Sequence, residues 1–230
     1  MGKILPGVFV SFANPKGGVG KSTLALLFAA YLASLKSGLK FCIVDVDDAQ
    51  NSIGSFRLRE LNSDVEESYK VLPISSSEFG SYVDYLKDEF DIIIVDFPGN
   101  LKQDGVVETL TLMDVVVMPF EPSPLCLSAT LDFYRYYSNE ILALRTKMGF
   151  STIIKGLPNR INPNVMEYKE LVDDPRALPF ELMKNHIKDS RVRFQRNLST
   201  ILTDYDNMSN EWGDEMIELI TKHIELVNAK

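Results

Sequence analysis

Cysteine is scarce in this sequence: Cys42 and Cys126 are the two among 230 residues. That is too few for a disulfide framework. Cys42 sits inside an apolar run and reads as a small buried hydrophobe. No apolar stretch approaches the roughly 18 residues that a membrane-crossing helix needs. The N-terminus carries one lysine, Lys3, before a strand-like run begins, which is not the pattern of a secretory signal. Low-complexity tracts, internal repeats and linkers are missing as well. The expected compartment is the cytoplasm. An excess of positive charge is also lacking. Thirty-two acids against 24 bases give a formal net charge of −8, which argues against uniform affinity for nucleic acid. A local basic patch stays compatible with that balance, because charges are screened over about 8 Å at physiological salt.

What the sequence does contain is 45% hydrophobic residues, arranged as strands alternating with helices. Gly7–Phe12, Phe41–Val44, Ile92–Val95, Val115–Met118 and Thr152–Leu157 are continuous apolar runs, many of them β-branched. Continuous rather than alternating runs mean strands buried on both faces. Between them, Leu24, Leu27, Phe28, Tyr31, Leu32 and Leu35 recur at helical spacing, and Gly38 ends that segment. Glu78–Glu89 reads as a helix, Ser123 or Ser128 caps a long one reaching Leu144, and Trp212–Val227 forms the last. Four prolines in 158–180 predict an irregular surface excursion. The expected fold is α/β: a doubly wound, mostly parallel sheet with helices on both faces, forming a single domain over 1–230.

The first strand runs into Asn14-Pro15-Lys16-Gly17-Gly18-Val19-Gly20-Lys21-Ser22-Thr23. The strict phosphate-loop pattern asks for glycine where Pro15 stands; Gly20-Lys21-Ser22 fits it, after a strand and opening a helix. Gly17, Gly18 and Gly20 let the backbone curl so that successive N–H groups, those of Val19 and Thr23 among them, point inward at an anion. The helix N-terminus adds partial positive charge. In such a loop Lys21 reaches the β- and γ-phosphates of ATP, and the Ser22 hydroxyl coordinates Mg²⁺. The plainer reading is a glycine-rich turn without a ligand.

The early lysine makes Lys16-Gly17-Gly18-Val19-Gly20-Lys21-Ser22-Thr23 resemble the deviant Walker A motif of the ParA/MinD family of P-loop ATPases. The resemblance implies that Lys16 crosses a dimer interface to a partner's nucleotide. Val44-Asp45-Val46-Asp47-Asp48-Ala49-Gln50 looks like the family's D-x-D-P-Q element, with Asp48 replacing the proline. It implies that Asp47 orients the attacking water and that Asp45 stands behind Ser22 and the metal. Asp48 bears on the rate of hydrolysis more than on binding; its default reading is a solvated turn residue with no role. Asp96, after four apolar residues, reads as the Walker B carboxylate that holds Mg²⁺ with Ser22; the alternative is a turn residue. Asn159-Arg160 resembles the family segment that recognises adenine, Asn159 offering both a donor and an acceptor; a turn asparagine is the alternative. The matches cover residues 8 to about 160 well and the last 70 weakly.

The resemblance implies a ParA-like switch: ATP holds two chains as a homodimer, and slow hydrolysis to ADP and phosphate, stimulated by a ParB-like protein, releases them. Such switches partition or position DNA. One alternative is a MinD-like membrane positioner, whose C-terminal helix is basic. Here Glu211, Asp214, Glu215, Glu218 and Glu225 outnumber Lys222 and Lys230, a balance that anionic lipid repels; the Trp212 stripe is expected to pack in the core. Another is an ATP-dependent ligase on the same fold. A nitrogenase-type reductase needs thiolates beside the nucleotide, which Cys42 and Cys126 do not supply. Segment 184–196 contains Lys184, Lys188, Arg191, Arg193 and Arg196 against one acid, Asp189. It is the candidate for nonspecific DNA binding by counterion release, with nucleoid association as the consequence. Its plainer reading is a solvated helix face.

Overall fold

A computed structural model describes residues 4–47, 52–60, 67–162, 164, 166–173, 178–188, 199–200 and 210–229. Six strands form one sheet: β1 (Val8–Phe12), β2 (Phe41–Asp45), β3 (Lys70–Pro73), β4 (Ile92–Asp96), β5 (Val115–Phe120) and β6 (Ile153–Pro158). Their spatial order is β3-β2-β4-β1-β5-β6 and every pairing is parallel. The apolar runs thus form the doubly wound sheet that continuous burial predicts.

The helices that cover it are α1 (Lys21–Ser34), α2 (Ser52–Glu60), α3 (Phe79–Glu89), α4 (Val106–Leu110), α5 (Pro124–Tyr136), α6 (Ala143–Lys147), α7 (Met166–Asp173) and α8 (Asn210–Asn228). A π-helical stretch, Tyr137–Leu142, joins α5 to α6. The Ser123 hydroxyl accepts from the Cys126 N–H and caps α5. Alternate strand residues feed opposite faces. Val8, Val10, Phe12, Ile92 and Ile94 pack with α1 and α8; Phe9, Ile93, Val95 and Val116 pack beneath α3, α4 and α5. Helix α1 is buried on nearly all sides because α8 covers its outer surface, Trp212 lying 6.0 Å from Phe28 and 6.1 Å from Phe12 between ring centroids.

Three features differ from the sequence reading. Strand β3 was not expected, since a lysine and a proline bound its two apolar residues; it lies at the sheet edge, where both are tolerated. The proline-bearing stretch 158–180 contains helix α7. Residues 181–188 are not helical: they run along β6 in parallel, Met183 donating to the Gly156 carbonyl and Ile161 to the Ile187 carbonyl. The other sheet edge is thereby covered.

Candidate functional site

The register sets Phe12, Asp45 and Asp96 level at the C-terminal ends of β1, β2 and β4, the end at which open α/β sheets bind ligands. From Phe12 the chain turns through the glycines into α1. Gly18 and Gly20 take φ of +78° and +95°, values that L side chains rarely adopt. Gly20 stands at the cap of α1 with no side chain closing the helix, so the first-turn N–H groups face the loop. The loop walls a cavity of about 300 Å³ whose lining includes Gly17, Lys21, Ser22, Asp47, Gly99 and Arg160. That is the lower end of small-ligand pocket volumes.

Lys21 is buried at this opening, its Nζ 3.5 Å from the Lys16 carbonyl oxygen. Burial pulls its pKa down, and the charges of Asp96 and Asp47 pull it back up. An ammonium held this way is partly stripped of water and meets an incoming phosphate at low dielectric cost. Asp96 is 1% exposed, and neither of its oxygens has a hydrogen-bond partner. Burial pushes its pKa up to about 7, aided by the charges of Asp45 and Asp47 and opposed by the Ser22 hydroxyl and Lys21. Asp45 differs: Oδ1 accepts from the Asp47 N–H at 3.2 Å and Oδ2 from Ile53 and Gly54 at 3.0 and 3.1 Å. Burial raises its pKa, and those N–H groups resist the rise.

A hard cation fits the oxygen donors Ser22 and Asp96. No group of three or more His, Cys, Asp or Glu side chains forms a metal cage among the described residues. Magnesium asks for no such cage, since it usually takes one or two protein oxygens and fills its shell with water and phosphate.

Lys16 is half-buried and does not line the cavity; its N–H donates to Asn14 Oδ1 at 2.9 Å. Asn14, for which sequence reading offered no role, is 1% exposed and donates from Nδ2 to the Pro119 carbonyl at 3.0 Å and to Thr130 Oγ1 at 2.8 Å. It fixes the turn in which proline replaces glycine. Asn159 Nδ2 donates to the Val19 carbonyl at 2.7 Å, and its Oδ1 accepts the Arg160 N–H at 2.9 Å. Asn159 therefore braces the glycine loop, and one amide hydrogen and one Oδ1 lone pair are left over from these two bonds. Arg160 has φ +56°, lines the cavity and donates from Nη1 to Glu121 Oε1 at 2.6 Å. Its ion pair with Glu121 was not legible, since 39 residues separate the two.

Of the basic segment, Lys184 and Lys188 are described and exposed; Arg191, Arg193 and Arg196, like Asp48, lie outside the described residues. Lys188 pairs in backbone register with Ile161, beyond the C-terminal end of β6. Lys184 lies among acids of α8: Nζ is 3.7 Å from Glu218, and its N–H donates to Glu215 at 2.7 Å. Trp212, Met216 and Ile220 of the α8 stripe are buried, as expected, whereas Val227 is half-exposed. No helix among the described residues is long and apolar enough to cross a membrane.

Residues 10–227 match the family described as the CobQ/CobB/MinD/ParA nucleotide binding domain. A ParA family protein of Mycoplasma genitalium is 22% identical over 96% of this chain and 98% of its own length. Among solved structures, a putative plasmid partition protein of Borrelia burgdorferi bound to AMPPNP superposes with a TM-score of 0.68 at 18% identity, covering 95% of this chain and 99% of that one. The MinD cell division protein of Aquifex aeolicus gives 0.67 at 20% identity, with 93% and 97% covered. At such identities these likenesses speak for the fold, and the two scores do not separate partition from cell-division relatives.

Proposed function

Since the chain belongs to the CobQ/CobB/MinD/ParA nucleotide binding domain family, we propose that it is a ParA-like ATPase that dimerises on ATP and separates on hydrolysis. The observation that carries this reading is the opening of α1. A left-handed glycine loop and the buried ammonium of Lys21 line one cavity there, and the buried carboxylate of Asp96, whose charge Ser22 and Lys21 feel, stands at the adjoining strand end. In this reading the N–H groups of Gly17, Gly18, Val19, Gly20, Lys21, Ser22 and Thr23 receive the phosphates. Lys21 neutralises charge at the β- and γ-positions, and Ser22 and Asp96 hold Mg²⁺. The metal would supply charge neutralisation at the transferred phosphoryl group. Asp47, which lines the same cavity as Lys21, orients the attacking water. Asn159 and Arg160 form the base side. Lys16, which does not line the chain's own cavity, serves the nucleotide of a second copy.

Partition or positioning of DNA is the biological role we propose, with a ParB-like protein as stimulator and nonspecific duplex as surface. Lys188, Arg191, Arg193 and Arg196 are the better candidates for that surface, because Lys184 is drawn toward Glu218. A MinD-like role is less favoured: the apolar stripe of α8 is spent on packing against Phe12 and Phe28, leaving little to enter a membrane. A ligase role would call for turnover that depends on a small carboxylic acid.

Light scattering after size exclusion tests the switch. Wild type is expected to be monomeric with ADP and dimeric with ATP and Mg²⁺. Lys16→Ala should bind ATP with wild-type affinity yet fail to release phosphate. A variant that hydrolyses ATP normally would remove the trans-acting lysine from the proposal.

A further inference from the structure

The loop between β4 and α4 holds a side chain that no motif marks. Gln103 is half-buried, and its Nε2 donates to the Val46 carbonyl at 3.0 Å and to Ser76 Oγ at 2.9 Å. Ser76 Oγ in turn donates to the Asp104 carbonyl at 2.6 Å, and Thr109 Oγ1 donates to the Ser76 carbonyl at 3.1 Å. The contact is tight. Gly105 has φ +79°, and a Cβ on it would stand 2.5 Å from the Ser76 carbonyl group. One primary amide thus joins the loop after β4 to the exits of β2 and β3.

The join matters because of what flanks it. Val46 is fully buried. Its N–H donates to the Asp96 carbonyl at 3.1 Å, and its own carbonyl receives Gln103. Both polar groups of its backbone are therefore gripped by β4 and the loop that follows. The next residue is Asp47, which lines the cavity. Four residues before Gln103 is Gly99, where a Cβ would lie 3.7 Å from Lys21 Nζ. A single loop meets the phosphate-binding lysine at one point and holds the backbone leading to Asp47 at another.

We propose that Gln103 is a positioning residue that makes the placement of Asp47 depend on the placement of the Phe97–Gly99 stretch. A ligand group that draws Gly99 against Lys21 then also sets Asp47. Glutamine suits the task because its amide offers two N–H groups in a fixed plane, one for each tether. Leucine at 103 removes both donors at similar size and leaves the buried Val46 carbonyl unpaired, a state that folded chains avoid. The proposal rests on the nucleotide-switch reading above, and its test separates the two.

Two measurements are made on Gln103→Leu. The first is hydrogen exchange of the nucleotide-free protein. Peptides containing Val46 and Asp47, and those spanning 97–105, should exchange faster than in wild type, while β4 stays unchanged. The second is a split of binding from turnover. ATP affinity by calorimetry should stay within about threefold, while turnover per bound ATP falls about tenfold, the rate equivalent of one neutral hydrogen bond. Wild-type exchange at Val46 and Asp47 overturns the proposal. So does a loss confined to affinity, with turnover per bound ATP unchanged. Should wild type itself not hydrolyse ATP, the switch reading fails, and exchange alone decides the role of Gln103. If Gln103→Leu does not fold, Gln103→Met carries the same measurements.

Discussion

Asp96→Asn should make the nucleotide-free, metal-free protein more stable at pH 8. The Asp96 side chain is 1% exposed, both its oxygens lack hydrogen-bond partners, and Asp45 stands level with it on the adjacent strand. Burial, with the charges of Asp45 and Asp47, pushes its pKa up to about 7, against about 3.9 for a free carboxyl. A shift of about 3 units corresponds to a penalty of about 4 kcal/mol on the ionised form. The sign follows from proton counting. Between about pH 4 and 7 the folded chain keeps a proton that the unfolded chain has released, so stability falls as pH rises through that window. Above it the whole penalty is felt; below about pH 4 none is. Asparagine removes the charge but leaves a buried amide unpaired, at about 1–3 kcal/mol. The net gain at pH 8 is therefore about 1–3 kcal/mol, a rise on the order of 5 °C in Tm for a chain of this size. Calorimetric melts of both proteins in EDTA at pH 8, 7, 6 and 5 read it directly. The difference should shrink as pH falls, and Mg²⁺ with ATP should stabilise wild type alone. A variant no more stable than wild type at pH 8, or a difference that ignores pH, would refute the reasoning.

Gly20→Ala should cost about 1–2 kcal/mol in urea unfolding, since φ there is +95° and an added Cβ would meet Asn159 Nδ2 at 2.7 Å; ATP affinity should fall with it. An alanine variant as stable as wild type would show that the loop relaxes freely. For DNA, filter binding of nonspecific duplex at low salt should be seen with ATP and not with ADP. Reversing Lys188, Arg191, Arg193 and Arg196 to Glu should abolish it and flatten its salt dependence; unchanged affinity would remove the segment from the surface.

The parts legible in the sequence are those in which burial dictates composition. Ile92–Val95 and Val115–Met118 are apolar without alternation because helices cover both sheet faces, and that alone implies a parallel sheet. The α8 stripe was readable because Trp212, Met216 and Ile220 repeat with the helix. Edges were not readable. Strand β3 has two half-buried residues between Lys70 and Pro73, and 181–188 pairs with β6 through backbone groups that no side-chain pattern reports. The same division runs through the site. The glycine loop is contiguous and carries its own signature, whereas Asn14 with Thr130, Gln103 with Val46 and Arg160 with Glu121 depend on chain separations of 116, 57 and 39 residues.

Why Asp96 stands apart from the other aspartates at strand ends is also a matter of partners and not of sequence. Asp91 and Asp96 bracket β4, Asp45 ends the adjacent β2, and Asp114 precedes β5. Asp91 accepts from the N–H groups of Ile4, Leu5 and Lys40. Asp114 accepts from Phe9 and Arg145, with His223 3.5 Å away. Asp45 accepts from Asp47, Ile53 and Gly54. Each of these three is buried with its charge answered by the chain, as burial of a carboxylate demands. Asp96 is buried as deeply, at the ligand-binding end of the sheet, yet among the described residues no backbone N–H or guanidinium reaches its oxygens; only the Ser22 hydroxyl and the Lys21 ammonium offset its charge. A protein that only needed to fold would gain from losing this carboxylate, as the asparagine variant tests. Its retention beside Ser22 and Lys21 is what a cation brought in with a polyphosphate would account for.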